Sequence, residues 1–236
     1  MNKTWAIFGK EVKLYFLSPV AYIIMAGFVL FSAASFYFRA TGFPDMIVAA
    51  RDSGLLDTVR QNRINYFVLG PVLSDVSSIL IFLIPLITMR LWAEEKRGST
   101  DELLITSPLS VGKIVMGKYL AGLLFVLVLL AVTLVYTVFL FVYSAPDPGV
   151  TLSSYIALIL FVAAGVGIGL FASSLTENQI VASVTCLIIE LFFASMGGVA
   201  TSIRSPLLSH ILGYVSWREH MMNFFDGVIR SGDVVY

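Results

Sequence analysis

The sequence predicts an all-α integral membrane fold, and three observations point there. Of 236 residues, 58% are hydrophobic and 13% charged, about half the charged share of an ordinary soluble domain. Mean hydropathy is +0.91. Five windows are apolar over about 20 residues each, the length that crosses a bilayer. The 15 Lys+Arg balance the 15 Asp+Glu, so no net field draws the chain toward nucleic acid or an acidic surface, and the expected surroundings are a lipid bilayer. The single cysteine, Cys186, lies in an apolar run. It forms no intrachain disulfide and reads as packing.

Residues 3–17 come first. At about 100° per residue, Trp5, Phe8, Val12, Tyr15 and Phe16 share one arc and Lys3, Lys10 and Lys13 another. Such a helix lies in the interface plane, or serves as a basic flank that sets topology. Pro19 ends it. The spans follow at 19–38, 72–92, 114–143, 152–175 and 178–199. Arg39 closes the first, Arg90 and Trp92 close the second, and Lys113 and Lys118 flank the start of the third. Lys and Trp at span ends act as interface anchors. Between the fourth and fifth spans Thr176, Glu177 and Asn178 leave room only for a tight hairpin, which makes these spans antiparallel neighbours.

The loop from Arg39 to Gly70 is mixed in charge and long enough for a short external helix; it shows no metal-ligand or nucleophile grouping. The connection 94–112 is the most polar part of the chain. There Thr100 can cap a short helix whose first turn carries Asp101 and Glu102, favourable near the positive end of the dipole, until Pro108 interrupts it. In the tail, 200–236, Ser205 can cap a helix that opens at Pro206 and runs to about Tyr214. A second begins at Ser216, with Glu219 completing a capping box and Trp217, Met221, Phe224, Phe225 and Val228 on one face. Each is too short to span, so the pair reads as an external re-entrant hairpin.

Orientation rests on the basic residues near the membrane. One side carries Lys3, Lys10, Lys13, Arg90, Lys96, Arg97, Lys113 and Lys118, the other Arg39, Arg51, Arg60, Arg63, Arg204, Arg218 and Arg230. The totals nearly balance. Three lysines precede the first span while a single arginine directly follows it, which places the N-terminus in the cytoplasm.

Most chemical motifs fail on context. Gly-Lys pairs at Gly9, Gly112 and Gly117 are followed by Glu11, Ile114 and Tyr119, not by the Ser or Thr that a P-loop needs for magnesium. Gly165, Gly167 and Gly169 lie in mid-span without a preceding strand, so Gly165 and Gly169 read as a small-xxx-small packing pair. His210 and His220 have no acid or cysteine at ligand spacing, so no metal site is expected. Asp75 near the outer end of the second span and Glu190 near the middle of the fifth are the acids within spans. A charge at mid-membrane costs at least about 2.5 kcal/mol. Both are pathway or gating candidates, and the alternative for Glu190 is a protonated glutamate bonded to a neighbouring Ser, Thr or Tyr.

The run Glu94-Glu-Lys-Arg-Gly-Ser-Thr-Asp-Glu-Leu-Leu-Ile-Thr-Ser-Pro108, followed by Lys113-Ile-Val-Met-Gly-Lys118, resembles the signature loop of the ABC-2 type permeases, the membrane subunits of a class of ABC transporters. Ser173-Ser-Leu-Thr-Glu-Asn-Gln179 is similar to that family's short inner loop. Leu83-Ile-Pro-Leu-Ile-Thr-Met-Arg90 is closest to the gliding-motility-type subgroup. One departure is that Gly98 stands one place early, with Ser99 before Thr100.

The resemblance implies a type V exporter-like transmembrane domain over 1–236, with 3–17 as an interfacial elbow helix. It also implies six spans, so a sixth is expected beyond the five visible here. It implies a permease of the bacterial inner membrane, not itself an enzyme, with no cofactor of its own; ATP and magnesium would bind a separate ATPase subunit. Glu94, Glu95, Lys96, Arg97, Gly98, Thr100, Glu102, Leu103 and Pro108 would form the coupling loop that docks in that ATPase, with Glu177, Asn178 and Gln179 as a second contact. A second copy would pair through the first and fifth spans, with an accessory extracytoplasmic subunit as a further partner. The alternative is a non-transporting membrane scaffold that uses an ABC ATPase to remodel or assist a protein partner.

Overall fold

The computed structural model describes residues 3–52, 64–99 and 110–235. Among the described residues there is no strand. In chain order the elements are α1 (Lys3–Leu17), α2 (Pro19–Asp52), a π-helical turn (Asn65–Leu69), α3 (Gly70–Thr88), α4 (Arg90–Arg97), α5 (Val111–Tyr143), α6 (Pro148–Ser174), α7 (Gln179–Ser202), α8 (Pro206–Val215), α9 (Trp217–Phe225) and α10 (Ser231–Val235). Five helical stretches are long and apolar enough to cross a membrane: Pro19–Asp45 within α2, Asn65–Arg97, α5, α6 and α7.

The helices outrun the apolar windows that announce them. The first window, 19–38, is the start of a helix that continues to Asp52, the second, 72–92, lies inside Asn65–Arg97, and α5, α6 and α7 begin or end up to four residues beyond 114–143, 152–175 and 178–199. A hydropathy window marks the length that hydrocarbon must cover. The backbone ladder runs on past that length, because Arg39, Thr41 and Asp45 are compatible with a helix in water, and it continues across Pro44, which lacks the N–H for one of its bonds. Thr41 donates back to the carbonyl of Tyr37 at 2.8 Å.

The residues divide into two compact units, each assembled from three chain segments. The first comprises Met1–Ala26, Leu80–Leu129 and Phe161–Ser195. Its core holds Tyr15, Ile84, Leu91, Ile114, Phe125, Val126, Val166 and Ala182. Glycines set the close approaches: a Cβ on Gly117 would lie 2.9 Å from Ile7 of α1, and one on Gly165 2.9 Å from Ile84 of α3.

α1 spans the residues its periodicity indicates, but it buries a different stripe. Glu11 and Tyr15 are buried, whereas Trp5, Leu14 and Leu17 are exposed. Of the apolar arc only Tyr15 is fully covered. A buried acid on this arc is unexpected from the pattern, and its partner, given below, supplies the reason.

The second unit comprises Gly27–Ile79, Leu130–Leu160 and Met196–Tyr236. Asn65 locks its π-turn to the start of α6, donating to the carbonyl of Asp147 (3.0 Å) and accepting from the amide of Asp147 (2.8 Å). Tyr155 lies 3.0 Å from the hydroxyl of Thr133 and 2.8 Å from that of Thr137. The tail forms the anticipated helical hairpin of α8 and α9, and Gly227 turns the chain after it at φ 80°, a left-handed conformation that glycine adopts without strain. The details of the hairpin differ from the sequence pattern. Among the described residues neither Ser205 nor Ser216 makes a side-chain cap, and the buried Ser216 hydroxyl finds no hydrogen-bond partner there. Ser216 Oγ and Glu219 instead close over Gly197, where a Cβ would meet them at 2.9 and 3.0 Å. The buried face of α9 is Trp217, His220, Met221 and Phe224; Val228 lies outside the helix and is exposed. His220 occupies that face because both ring nitrogens are bonded, Nδ1 to Asp233 Oδ1 and Nε2 to the carbonyl of Tyr214 (2.8 Å).

Candidate functional site

The site lies in the first unit, where α1, α4, the start of α5 and the end of α6 meet. Lys118 is 2% exposed. Its ammonium donates to Glu11 Oε1 of α1 (2.9 Å) and to the carbonyl of Leu91 (2.6 Å), and lies 2.8 Å from Glu95 Oε2 of α4. Lys10 reaches Glu95 Oε1 from the exposed side at 3.2 Å. Two lysines and two glutamates thus close a neutral cluster, which is how a buried charge becomes tolerable: each ion needs an opposite charge and hydrogen bonds in place of water. The ring of Trp92 lies 5.8 Å from the Lys118 ammonium.

α4 is held from a second side. Its helical path is interrupted at Met89, after Pro85, which has no N–H to give the preceding turn. The hydroxyl of Ser173 enters the break: it accepts from the amides of Trp92 and Ala93 (3.0 Å each) and donates to the carbonyl of Met89 (2.9 Å). A side chain inserted between an amide and the carbonyl four residues earlier is a recognised cause of a helix bend. One turn on, Lys96 donates to the carbonyl of Ser174 at 2.6 Å.

Tyr15 completes the inner wall, donating to the carbonyl of Ile87 at 2.8 Å and stacking on Phe125. Burial pushes its phenol above the ordinary tyrosine range, while Arg90, 5.0 Å from the ring centroid, pulls the other way. The phenol therefore keeps the proton that it donates.

These contacts place the predicted coupling residues. Glu94, Arg97 and Gly98 are exposed at the end of α4, and Glu177 and Asn178 are exposed in the turn between α6 and α7. Ser99, which follows, has φ 52°. Glu95 and Lys96 face inward, to Lys118 and to Ser174. Asn178 caps α7, its Oδ1 accepting from the amide of Ile180 at 2.9 Å, and Gln179 lines a small cleft with Arg90 and Glu94. Thr100, Glu102, Leu103 and Pro108 lie outside the described residues, as does the helix expected after Thr100. Lys96 and Ser173 thus join α4 to the end of α6, which are distant in sequence.

Three contributors escape a reading by sequence alone. Lys118 looks like an interface anchor and Glu11 enters the sequence reading only as the residue after Lys10, yet they pair. Glu11 was detectable, since it stands three residues after Phe8 and four before Tyr15, on the apolar arc. Ser173 opens the segment that resembles the family's inner loop, but nothing in that pattern marks it as the serine that bridges a helix break.

The remaining candidates lie elsewhere. Glu190 is fully buried, with Oε1 3.8 Å from Cys186 Sγ and 3.0 Å from where a Cβ of Gly165 would stand. Its neighbour is thus a thiol, not the Ser, Thr or Tyr anticipated, and Oε2 has no hydrogen-bond partner among the described residues. A Cβ on Gly169 would collide with Thr88. Asp75, in the second unit, receives Arg39 through both carboxylate oxygens (2.9 and 3.1 Å) and the hydroxyl of Ser35 (2.7 Å). Among the described residues no group of three or more His, Cys, Asp or Glu is placed to hold a metal ion.

Among curated proteins and among solved structures, none matches this chain. A family model described as ABC-2 family transporter protein matches residues 5–229. That match takes in α1, all five long apolar stretches, the Lys118 cluster and the hairpin. With nearly its whole length accounted for in this way, the chain belongs to the ABC-2 family of transporter membrane proteins.

Proposed function

We propose that the chain is the permease subunit of an ATP-binding cassette transporter, forming part of the membrane pathway and docking a separate ATPase subunit at the surface made by residues 94–98 and 174–179. The observation that carries this reading is the hydrogen bond from Lys96 to Ser174, with the Ser173 bridge beside it. Together they support the reading by holding α4 to the end of α6, near which Glu94, Arg97 and Glu177 are exposed, and mixed charge has the character of a docking rim more than of a buried interface. The docking role expected of Thr100, Glu102, Leu103 and Pro108 belongs to the same reading. In this reading ATP and magnesium belong to the partner, and the N-terminus and both connections face the cytoplasm of a bacterial cell. The Leu83–Arg90 segment favours the gliding-motility-type subgroup.

Two copies would pair through α2 and α7. Their apolar windows are the least covered of the five, 17% and 22% buried against 39% to 56% for the others. Ile180, Val184, Ile188 and Leu191 run down one exposed face of α7 at helical spacing.

The test is co-purification of ATPase activity with the tagged chain. Glu94→Lys combined with Glu177→Lys is expected to abolish it while leaving the chain folded; undiminished ATPase activity with that double variant would refute the docking surface.

A further inference from the structure

The second unit contains a cavity of about 600 Å³, in the size range of small-molecule sites, that coupling to an ATPase does not use. Its walls are aromatic and apolar, with Phe38, Tyr66, Phe67 and Phe225 prominent. Four charged side chains line it, Arg39, Asp75, Arg218 and Asp226. They sum to zero, so selection cannot come from net charge and must come from where each charge stands.

Arg39 is already matched. Asp75 takes it through both carboxylate oxygens, which leaves little of the guanidinium for a ligand. Arg218 has no ion pair among the described residues and stands in the first turn of α9. Asp226 is the residue that caps the other end of that helix, about 12 Å away at 1.5 Å per residue. The helix dipole is positive at its N-terminal end, so dipole and side chains agree: the Arg218 end attracts an anion and the Asp226 end repels it. Glu219, the acid nearest Arg218 in sequence, is directed to Gly197 and does not line the cavity.

We propose that this cavity binds an amphipathic anion, its hydrocarbon body against the aromatic wall and its single anionic group paired with Arg218. A guanidinium presents several N–H donors to a carboxylate or phosphate, and the wall supplies the desolvated surface. A bilayer lipid and a free amphiphile share this chemistry.

The full chain is reconstituted in phosphatidylcholine nanodiscs, and binding of 11-(dansylamino)undecanoic acid is measured by dansyl fluorescence above that of empty discs. Saturable binding is expected, weakened about tenfold or more by Arg218→Gln, the scale of a hydrogen bond to a charged group. It is unchanged by Arg230→Gln, which removes an exposed arginine of the same unit that does not line the cavity. The methyl ester of the probe is expected to bind no better to the native chain than to Arg218→Gln. Competition by phosphatidylglycerol added to the discs identifies the bilayer as the source of the ligand, and its absence identifies a free amphiphile. Equal losses from the two arginine variants, or equal binding of acid and ester, overturn the proposal. Phe225→Ala, which opens the wall without touching charge, must weaken acid and ester alike; no effect on either also overturns it.

Discussion

Lys118 and Glu11, at the start of α5 and in the middle of α1, form a buried ion pair 2.9 Å long whose second carboxylate, Glu95, belongs to α4. Three helices of the first unit are therefore tied at one ammonium. Removing one member of such a pair strands the other in low dielectric, which costs about 3 to 5 kcal/mol. Lys118→Met is expected to lower the thermal midpoint of the detergent-solubilised chain more than either Glu11→Gln or Glu95→Gln, because it strands two carboxylates and the Leu91 carbonyl at once. A differential scan of the three variants checks the order.

Ser173→Ala would leave the amides of Trp92 and Ala93 and the carbonyl of Met89 without the hydroxyl that joins them. A buried backbone group left unpaired costs about 1 to 3 kcal/mol. The expected signature is local: amide hydrogen exchange accelerates across α4 while α5 keeps its protection. Uniform acceleration over the first unit would mean that the hydroxyl supports global packing and not the bend.

Much of this architecture is legible in the sequence, and the limits have physical causes. Hydropathy finds the five apolar stretches because the bilayer imposes a length, but it cannot find the ends of helices that continue into water, as α2 does to Asp52. Periodicity delimits α1 at Lys3 and Leu17, but a place at the end of a span reads Lys118 as an interface anchor, whereas it is buried. Charge pairing is a property of three dimensions, and a lysine at residue 118 carries no mark of its partner at residue 11. The hairpin was foreseen, but Ser216 and Glu219, spaced for a capping box, are recruited by close packing on Gly197 instead.

The two glycines of α6 respond differently to a methyl group. Gly165→Ala meets the Cδ1 of Ile84 at 2.9 Å and Glu190 at 3.0 Å, both ends of flexible side chains, whereas Gly169→Ala meets the Cβ of Thr88 at 2.6 Å. Overpacking of this kind costs about 1 to 3 kcal/mol. Ile84→Val, which deletes the clashing methyl, is expected to restore the thermal midpoint of Gly165→Ala. No truncation at Thr88 short of glycine removes its Cβ, so Thr88→Ala, which removes Oγ1 and Cγ2, is expected to relieve the Gly169→Ala defect only in part.

Glu190 is fully buried and makes no ion pair among the described residues. Its carboxyl fills the space over Gly165. Glu190→Gln, which keeps shape and one acceptor, is expected to retain transport in proteoliposomes, and Glu190→Ala to lose thermal stability through the cavity left behind, about 2 to 5 kcal/mol for truncations of this size. Loss of transport in the glutamine variant, with stability intact, would instead assign the carboxylate a place in the pathway.

The clamp formed by Ser173, Ser174 and Lys96 has a consequence for exchanging parts between relatives. The two connections are not separable modules, since the backbone of one is hydrogen-bonded by the side chains of the other. A chimaera that imports residues 94–112 alone replaces Lys96 while Ser174 stays native, so the bond between them survives only where the foreign loop also carries a donor at that place. Importing 89–112 and 173–179 together moves the whole interlocked piece, so partner choice should transfer only when both segments travel together.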